Sequence, residues 1–124
     1  MEAFFPENKI ILTGNPVRKS LINSKIESIK NDRFNSCDRN GFSILVLGGS
    51  LGSEKINEVT SKNIFFFKKN KISLIWQCGK NYFKIFKSFE SKNIKIYPFL
   101  EKIENFYHKS DIVISRAGAL TISE

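Results

Sequence analysis

Short apolar runs alternate with longer stretches of mixed polarity in the part of the chain that follows Phe42. The runs lie at residues 44–47, 71–76, 94–97 and 111–115. Continuous apolar runs of this length are typical of strands that are covered on both faces, as in a parallel sheet. The pattern therefore predicts four strands.

The stretches between and after these runs have helical character. Helices are predicted at residues 53–67, 82–89, 103–107 and 118–124. In the second of them Tyr82, Ile85, Phe86 and Phe89 recur at the i, i+3, i+4, i+7 spacing of one apolar helix face. Strand and helix alternate four times, which predicts an α/β fold with a Rossmann-like parallel sheet and right-handed crossovers.

The first forty residues are patterned differently. Residues 9–13 predict a short strand, which Gly14 and Pro16 end, and residues 17–29 predict a helix. Residues 31–40 are polar and rich in turn formers, so they are interpreted as a linker or loop.

Composition sets the class of protein. The chain has 124 residues, 41% of them hydrophobic and 26% charged, which is enough for one globular domain with one core and excludes a disordered chain. Cys37 and Cys78 have neither metal-ligand spacing nor a CxxC motif, so a reducing cytosol is expected. No leader peptide is expected, and no apolar run reaches the length of a membrane span, so any membrane contact is expected to be peripheral.

The net charge of +8 leaves several interpretations open. A basic surface can hold nucleic acid, an anionic membrane or a phosphate-bearing ligand. The same charge also follows from a composition crowded with Lys, Asn, Ile and Phe. Because the lysines are spread along the chain and form no dense block, the compositional explanation is favoured. Nucleic acid is ranked last among the partners, because Tyr82, Phe86 and Phe89 sit at core spacing and do not form a stacking platform.

The strongest candidate chemistry lies at the ends of the predicted strands, where ligands bind in open parallel sheets. Gly48, Gly49, Ser50 and Gly52 follow the first strand and open a helix. Glycines allow close approach of a ligand, and the free N–H groups and dipole of a helix start favour a phosphate. A tight turn without a ligand is the alternative.

The turn after the fourth strand repeats this theme with Gly118 and the hydroxyl of Thr121. Two such turns at neighbouring strand ends could hold both phosphates of a nucleoside diphosphate. Glu124, one helical turn after Thr121, could accept hydrogen bonds from a ribose diol, or it could simply complement the helix dipole. Phe99 and Leu100 follow the third strand, where they could flank a base or belong to the core.

These turns, in their order along the chain, resemble those of the C-terminal domain of the UDP-N-acetylglucosamine:lipid I transferases of peptidoglycan synthesis (the MurG family). The resemblance covers nearly the whole chain except the loop around residues 31–40. The matching stretches are residues 13–18, 44–52, 76–80, 98–100 and 111–124.

The resemblance implies an incomplete C-terminal half of a GT-B glycosyltransferase, in which two Rossmann-like halves face a cleft. The C-terminal half would hold UDP-N-acetylglucosamine, and the N-terminal half would hold the lipid I acceptor at the cytoplasmic face of the bacterial inner membrane. The reaction would be an inverting displacement that needs no metal and no cofactor. The implied domains are residues 1–18, the tail of the N-terminal domain with the interdomain joint, residues 19–40, a helix and linker, and residues 41–124, a truncated UDP-sugar-binding domain.

The resemblance also implies roles for individual residues. Arg18 would contact the donor, Phe99 and Leu100 would lie at the uracil, and Glu124 would hold the ribose hydroxyls. The residues implied around the phosphates and sugar are Ser50, Ala119, Leu120 and Thr121, with the glycines Gly48, Gly49, Gly52 and Gly118 forming the phosphate turns. No catalytic residue is implied in this chain.

The sequence departs from the family pattern at three positions. Leu51 and Ser53 replace the usual Gln and Ala of the glycine turn, and Cys78 replaces a Thr. None of these changes removes a backbone N–H, so phosphate binding stays the expectation.

The chain alone is expected to have no transferase activity. Its only histidine, His108, is predicted on a helix surface, and no other side chain is a convincing general base. An apolar sheet edge without a cover is also expected. The alternative functions are a subunit of a two-chain glycosyltransferase and a non-enzymatic nucleotide-binding module.

Overall fold

A computed structural model describes residue 11, residues 13–22 and residues 41–123 of the chain. Within them lies one four-stranded sheet made of β1 (Ser43–Leu47), β2 (Ser73–Gln77), β3 (Ile94–Tyr97) and β4 (Ile112–Ser115). All neighbouring strands are parallel, and their order across the sheet is β3-β2-β1-β4. The predicted parallel α/β fold is therefore confirmed.

Six α-helices lie within the described ranges, with one 3₁₀ turn. The first is α1 (Lys19–Ile22), which lies within the predicted helix at residues 17–29. The others are α2 (Glu54–Lys62), α3 (Ile64–Lys69), α4 (Phe83–Phe86), α5 (Glu104–Tyr107) and α6 (Ala119–Ser123), and the 3₁₀ turn is Lys87–Phe89. Most of the strand predicted at residues 9–13 and the whole linker predicted at residues 31–40 lie outside the described residues. Across the described part of the chain, no helix has the length and apolar character needed to span a bilayer.

The helix predicted at residues 53–67 is in fact two helices that meet at Asn63. The Asn63 side chain donates to the carbonyl oxygen of Val59 at 2.8 Å, and its backbone leaves the helical region at φ −100° and ψ 7°. Asparagine competes in this way with the regular helical hydrogen bonds, which explains the break.

The second strand begins later than predicted. Lys71 has a positive φ of 53°, which is a turn conformation, so β2 starts at Ser73 instead of residue 71 and extends to Gln77.

The apolar face predicted at residues 82–89 is narrower than expected. Tyr82, Phe86 and Phe89 form a row of ring contacts, and Phe86 packs on Trp76 with 4.7 Å between ring centroids. Ile85 was expected on the same face but is 63% exposed. On a helical projection Ile85 lies at the border of the stripe, and the α-helix ends at Phe86, so the core does not reach it.

The core lies on both faces of the sheet, because side chains alternate along each strand. One cluster has Val46, Leu74 and Trp76 at its centre, with Ile64 and Phe67 packed over them from α3. The opposite cluster contains Leu45, Leu47, Ile75 and Leu100. The central strands β1 and β2 are thus covered on both sides.

Strand β4 is different. It forms the end of the sheet, and Ile112, Val113 and Ile114 keep 40–45% of their surface exposed. Within the described residues, the expected apolar sheet edge is therefore present.

Two phenylalanines of α3 give a matched test of this packing. Phe67 is 9% exposed and lies in the core cluster, whereas Phe65 is 76% exposed. We expect Phe67→Ala to lower the free energy of unfolding by about 3–5 kcal/mol through lost burial and a cavity. Phe65→Ala should change it by less than about 0.5 kcal/mol. Urea unfolding of both variants measures this, and equal losses would contradict the packing described.

Candidate functional site

The turn between β1 and α2 presents backbone groups at the carboxyl edge of the sheet. Gly48 is buried and donates its N–H to the carbonyl oxygen of Gln77 at 2.9 Å. Gly49 and Gly52 have positive φ values of 80° and 88°, and the Gly52 N–H donates to the Gly49 carbonyl at 3.1 Å. Ser50 lies exposed inside this turn. The turn therefore requires glycine at two positions and holds its hydroxyl-bearing residue at the surface.

Helix α2 begins directly after this turn. Its N-cap residue, Ser53, has extended backbone angles and makes no side-chain hydrogen bond at the cap. The first-turn N–H groups of a helix have no partner within the helix, and they carry the positive end of its dipole. Together, the turn and the start of α2 form a site suited to an anion.

The turn between β4 and α6 also leads from a strand end into a helix, but its glycine, Gly118, does not have a positive φ. The Gly118 N–H donates to the Arg116 carbonyl at 2.8 Å, and the carbonyl of Gly118 accepts the N–H of Ile122 at 3.0 Å, which starts the helix. Gly118 and Ala119 are exposed, and Thr121 is half-buried.

Asn15 links the N-terminal part of the chain to α6. Its side-chain amide donates to the Ser123 hydroxyl at 3.0 Å and to the Ala119 carbonyl at 3.4 Å. Arg18 is exposed and lies three residues after Asn15, so this contact brings the chain segment that carries Arg18 close to α6.

The sheet places the two glycine turns side by side. β1 pairs with β4 so that Leu47 lies opposite Ser115, and each residue is the last of its strand. Neighbouring strands in a sheet are about 4.8 Å apart. The two turns therefore leave one sheet edge from adjacent strands, as the sequence predicted.

Phe99 and Leu100 lie farther along the same edge, beyond β2 from the two glycine turns. They follow β3, which is separated from β1 by β2. The Leu100 side chain is buried against Leu45, Leu47 and Ile75, so only its backbone can face a ligand, whereas Phe99 is exposed.

The turn after β2 lies between these groups, and the sequence pattern did not indicate a role for it. A Cβ atom added to Gly79 would collide with the backbone of Gly52, and one added to Gly52 would collide with the carbonyl oxygen of Cys78. Gly79 also has a positive φ of 90°. The two turns thus pack backbone against backbone. The available signal was a glycine three residues after the end of a predicted strand, but the spacing alone did not show which backbone lies next to it.

Cys78 is fully buried at the base of this contact. Burial raises the pKa of its thiol from 9.0 to about 11, because the thiolate is poorly solvated there. The thiol is therefore a neutral, unreactive group beneath the turns.

Three predicted residues remain to be placed. Leu120 lies in α6, and Glu124 lies outside the described residues. His108 is exposed directly after α5. Where the structure describes the chain, no group of three or more His, Cys, Asp or Glu side chains could hold a metal ion.

The parallel sheet and the turns at its carboxyl edge define a Rossmann-like α/β domain. Residues 43–124 match the glycosyltransferase family 28 C-terminal domain. The chain belongs to this family.

Several relatives of known name align with the whole chain. A UDP-N-acetylglucosamine--N-acetylmuramyl-(pentapeptide) pyrophosphoryl-undecaprenol N-acetylglucosamine transferase of Flavobacterium psychrophilum is 43% identical over 100% of this chain and 34% of its own length. Proteins of the same name from Cytophaga hutchinsonii and Amoebophilus asiaticus are 40% and 37% identical, again over 100% of this chain and over 34% and 35% of their own. The chain spans about a third of the length of these relatives.

Gly49 and Gly79 both have a positive φ, so substitutions at the two positions distinguish the cost of backbone strain from the cost of packing. An added Cβ at Gly49 meets nothing within 4 Å, whereas at Gly79 it meets the Gly52 backbone. We expect Gly49→Ala to cost about 1–2 kcal/mol of stability from backbone strain alone. Gly79→Ala should cost about 1–3 kcal/mol more, because two backbones must move apart. Thermal unfolding of the two variants measures the difference, and equal costs would contradict the backbone contact.

The raised pKa of Cys78 predicts a loss of stability in alkali. Between about pH 9 and about pH 11 the unfolded chain releases the thiol proton while the folded chain retains it. The folded state then binds more protons, so stability is complete below pH 9 and falls as the pH rises towards 11. Urea unfolding at about pH 8 and about pH 10.5 should show a larger loss in the original chain than in Cys78→Ala. Equal losses would show that the thiol is not responsible.

Proposed function

We propose that this chain forms the main part of the donor-binding half of an inverting N-acetylglucosaminyltransferase of peptidoglycan synthesis, with UDP-N-acetylglucosamine as the donor. The observation that carries the proposal is the adjacency of β1 and β4, each of which leads through a glycine turn into a helix at one sheet edge. The names of the relatives supply the sugar and the acceptor.

The two turns would divide the diphosphate between them. The N–H groups around Gly49 and Gly52, with the Ser50 hydroxyl and the start of α2, would hold one phosphate. Gly118, Ala119 and Thr121 would hold the other together with the sugar. Backbone donors are well suited to this task, because they are fixed in place before the ligand arrives.

The nucleoside would extend from this centre. The backbone of Leu100 would read the edge of the uracil with Phe99 beside it. Glu124 would accept hydrogen bonds from the ribose hydroxyls, while Leu120 and Arg18 would contact the donor from α6 and from the segment fastened by Asn15.

The chemical contribution of this half would be to stabilise the leaving group. As the acceptor hydroxyl attacks the anomeric carbon, negative charge develops on the departing UDP. N–H donors and a helix dipole aimed at the diphosphate are most favourable at that stage and lower the barrier. Three further features would belong to sequence that the relatives have beyond this match. They are the site for the lipid-linked acceptor, the peripheral contact with the cytoplasmic face of the membrane and the general base of the reaction. No metal or cofactor is assigned to the reaction.

The proposal predicts that the chain binds UDP more tightly than uridine. Titrations of the 124-residue chain followed by two-dimensional amide NMR measure both affinities. Ser50→Ala and Thr121→Val should each weaken UDP binding by about fivefold, the equivalent of one hydrogen bond, and leave uridine binding unchanged. Ser88→Ala, an exposed serine between α4 and β3, is the control. Equal affinity for uridine and UDP, or no binding of either, would contradict the proposal.

A further inference from the structure

Asn57 is a buried polar residue within α2, with 1% of its surface exposed. Its side-chain oxygen accepts a hydrogen bond from the indole Nε1 of Trp76 at 3.0 Å. Its side-chain nitrogen donates to the carbonyl oxygen of Cys78 at 2.8 Å. An indole can only donate and a carbonyl can only accept, so these partners fix the orientation of the amide.

A buried asparagine within a helix requires an explanation. Asparagine is a poor helix former, and a buried amide is tolerated only when its polar atoms are paired. Both Asn57 bonds reach the end of β2, so the side chain ties α2 to the turn that follows β2.

The carbonyl that Asn57 holds is also the atom against which the phosphate turn packs. Gly52 lies so close to the Cys78 carbonyl oxygen that no Cβ would fit between them, and the Gly52 backbone lies equally close to Gly79. The Cys78 N–H donates to the Tyr97 carbonyl at 3.0 Å, which fixes the other side of the same peptide segment to β3. The position of Gly52 therefore depends on where the Cys78 carbonyl is held.

We propose that Asn57 is a positioning residue for the diphosphate, acting through the Cys78 carbonyl and Gly52 on the backbone N–H groups of residues 49–51. The inference rests on the proposed function, since it assigns the phosphate to this turn. Asn57 itself does not reach the ligand, because it is buried beneath the turn.

This role predicts different effects on the binding of two parts of the ligand, the diphosphate and the nucleoside. The groups that contact the base and the ribose are proposed on the β3 side and the α6 side of the site. Asn57 contacts neither of these two sides. Loss of its bond to Cys78 should thus weaken binding of the phosphates and spare binding of the nucleoside. A residue that only stabilised the fold would weaken both.

Three variants and a control test the inference. Asn57→Asp, measured at a pH where the introduced carboxyl is ionised, keeps the acceptor for Trp76 and removes the donor to Cys78. Asn57→Leu removes both bonds at similar volume. Trp76→Phe removes only the indole donor and leaves the bond to Cys78 in place. Thr60→Val is the control, because Thr60 is buried in the same helix and its hydroxyl bonds to the Ile56 carbonyl, at 2.7 Å, away from the turn.

The measurement is the ratio of UDP to uridine affinity, taken from amide NMR titrations of the complete 124-residue chain. We expect Asn57→Asp and Asn57→Leu to reduce UDP affinity about tenfold and to change uridine affinity by less than about twofold. Trp76→Phe and Thr60→Val should keep the ratio of the original chain. The same spectra report whether each variant is folded. If Asn57→Leu is not folded, Asn57→Asp decides the result.

Two results would overturn the inference. One is an equal loss of UDP and uridine affinity in the folded Asn57 variants, and the other is an unchanged ratio. If the original chain prefers UDP and these variants retain that preference, the positioning role alone is wrong. If the original chain shows no preference for UDP, the proposed function fails first, and the inference fails with it.

Discussion

Strand β1 pairs in parallel with β2 on one side and with β4 on the other, and this pairing determines where the two glycine turns lie. Parallel strands bring their carboxyl ends to the same edge of a sheet, so the turns after β1, β2 and β4 emerge side by side. Side chains of β1 are buried on both faces, which leaves little freedom for its register to shift. The site thus inherits its geometry from a central strand that is packed on both faces.

Packing of backbone against backbone then fixes the turns themselves. Gly52 and Gly79 have positive φ values, yet conformational freedom is only part of the reason for glycine at these positions. Their Cα atoms approach the neighbouring turn so closely that a side chain would have no room. The buried amide of Asn57 completes this arrangement by holding the carbonyl at the contact. An anion site made of N–H groups gains from such rigidity, because the donors need no reorganisation when charge arrives.

The two halves of the proposed phosphate site differ in how they are supported. The turn after β1 rests on a core packed from both faces of the sheet. The turn after β4 belongs to a strand whose apolar side chains remain 40–45% exposed. That strand is held by its pairing with β1, by the bonds between Asp111 and Ser43 at its start, and by the Asn15 contacts to α6 at its end. Local opening is therefore expected first on the β4 side, where less apolar surface is buried.

The sequence by itself determined the strands, their parallel arrangement and the glycine turns, because apolar runs and glycines act through local backbone physics. Those signals were enough to place Ser50, Gly118 and Thr121 at one sheet edge. Local pattern failed where a side chain competes with the backbone, as at Asn63, and where a helix stops before its stripe is complete, as at Ile85. Only the tertiary structure decided that the turn after β2 lies against the turn after β1 and that Asn57 bonds to the carbonyl at this contact. These contacts join residues 19 to 27 positions apart in the chain, such as Asn57 with Trp76 and Gly52 with Gly79, and no periodicity encodes which distant backbone atoms will meet.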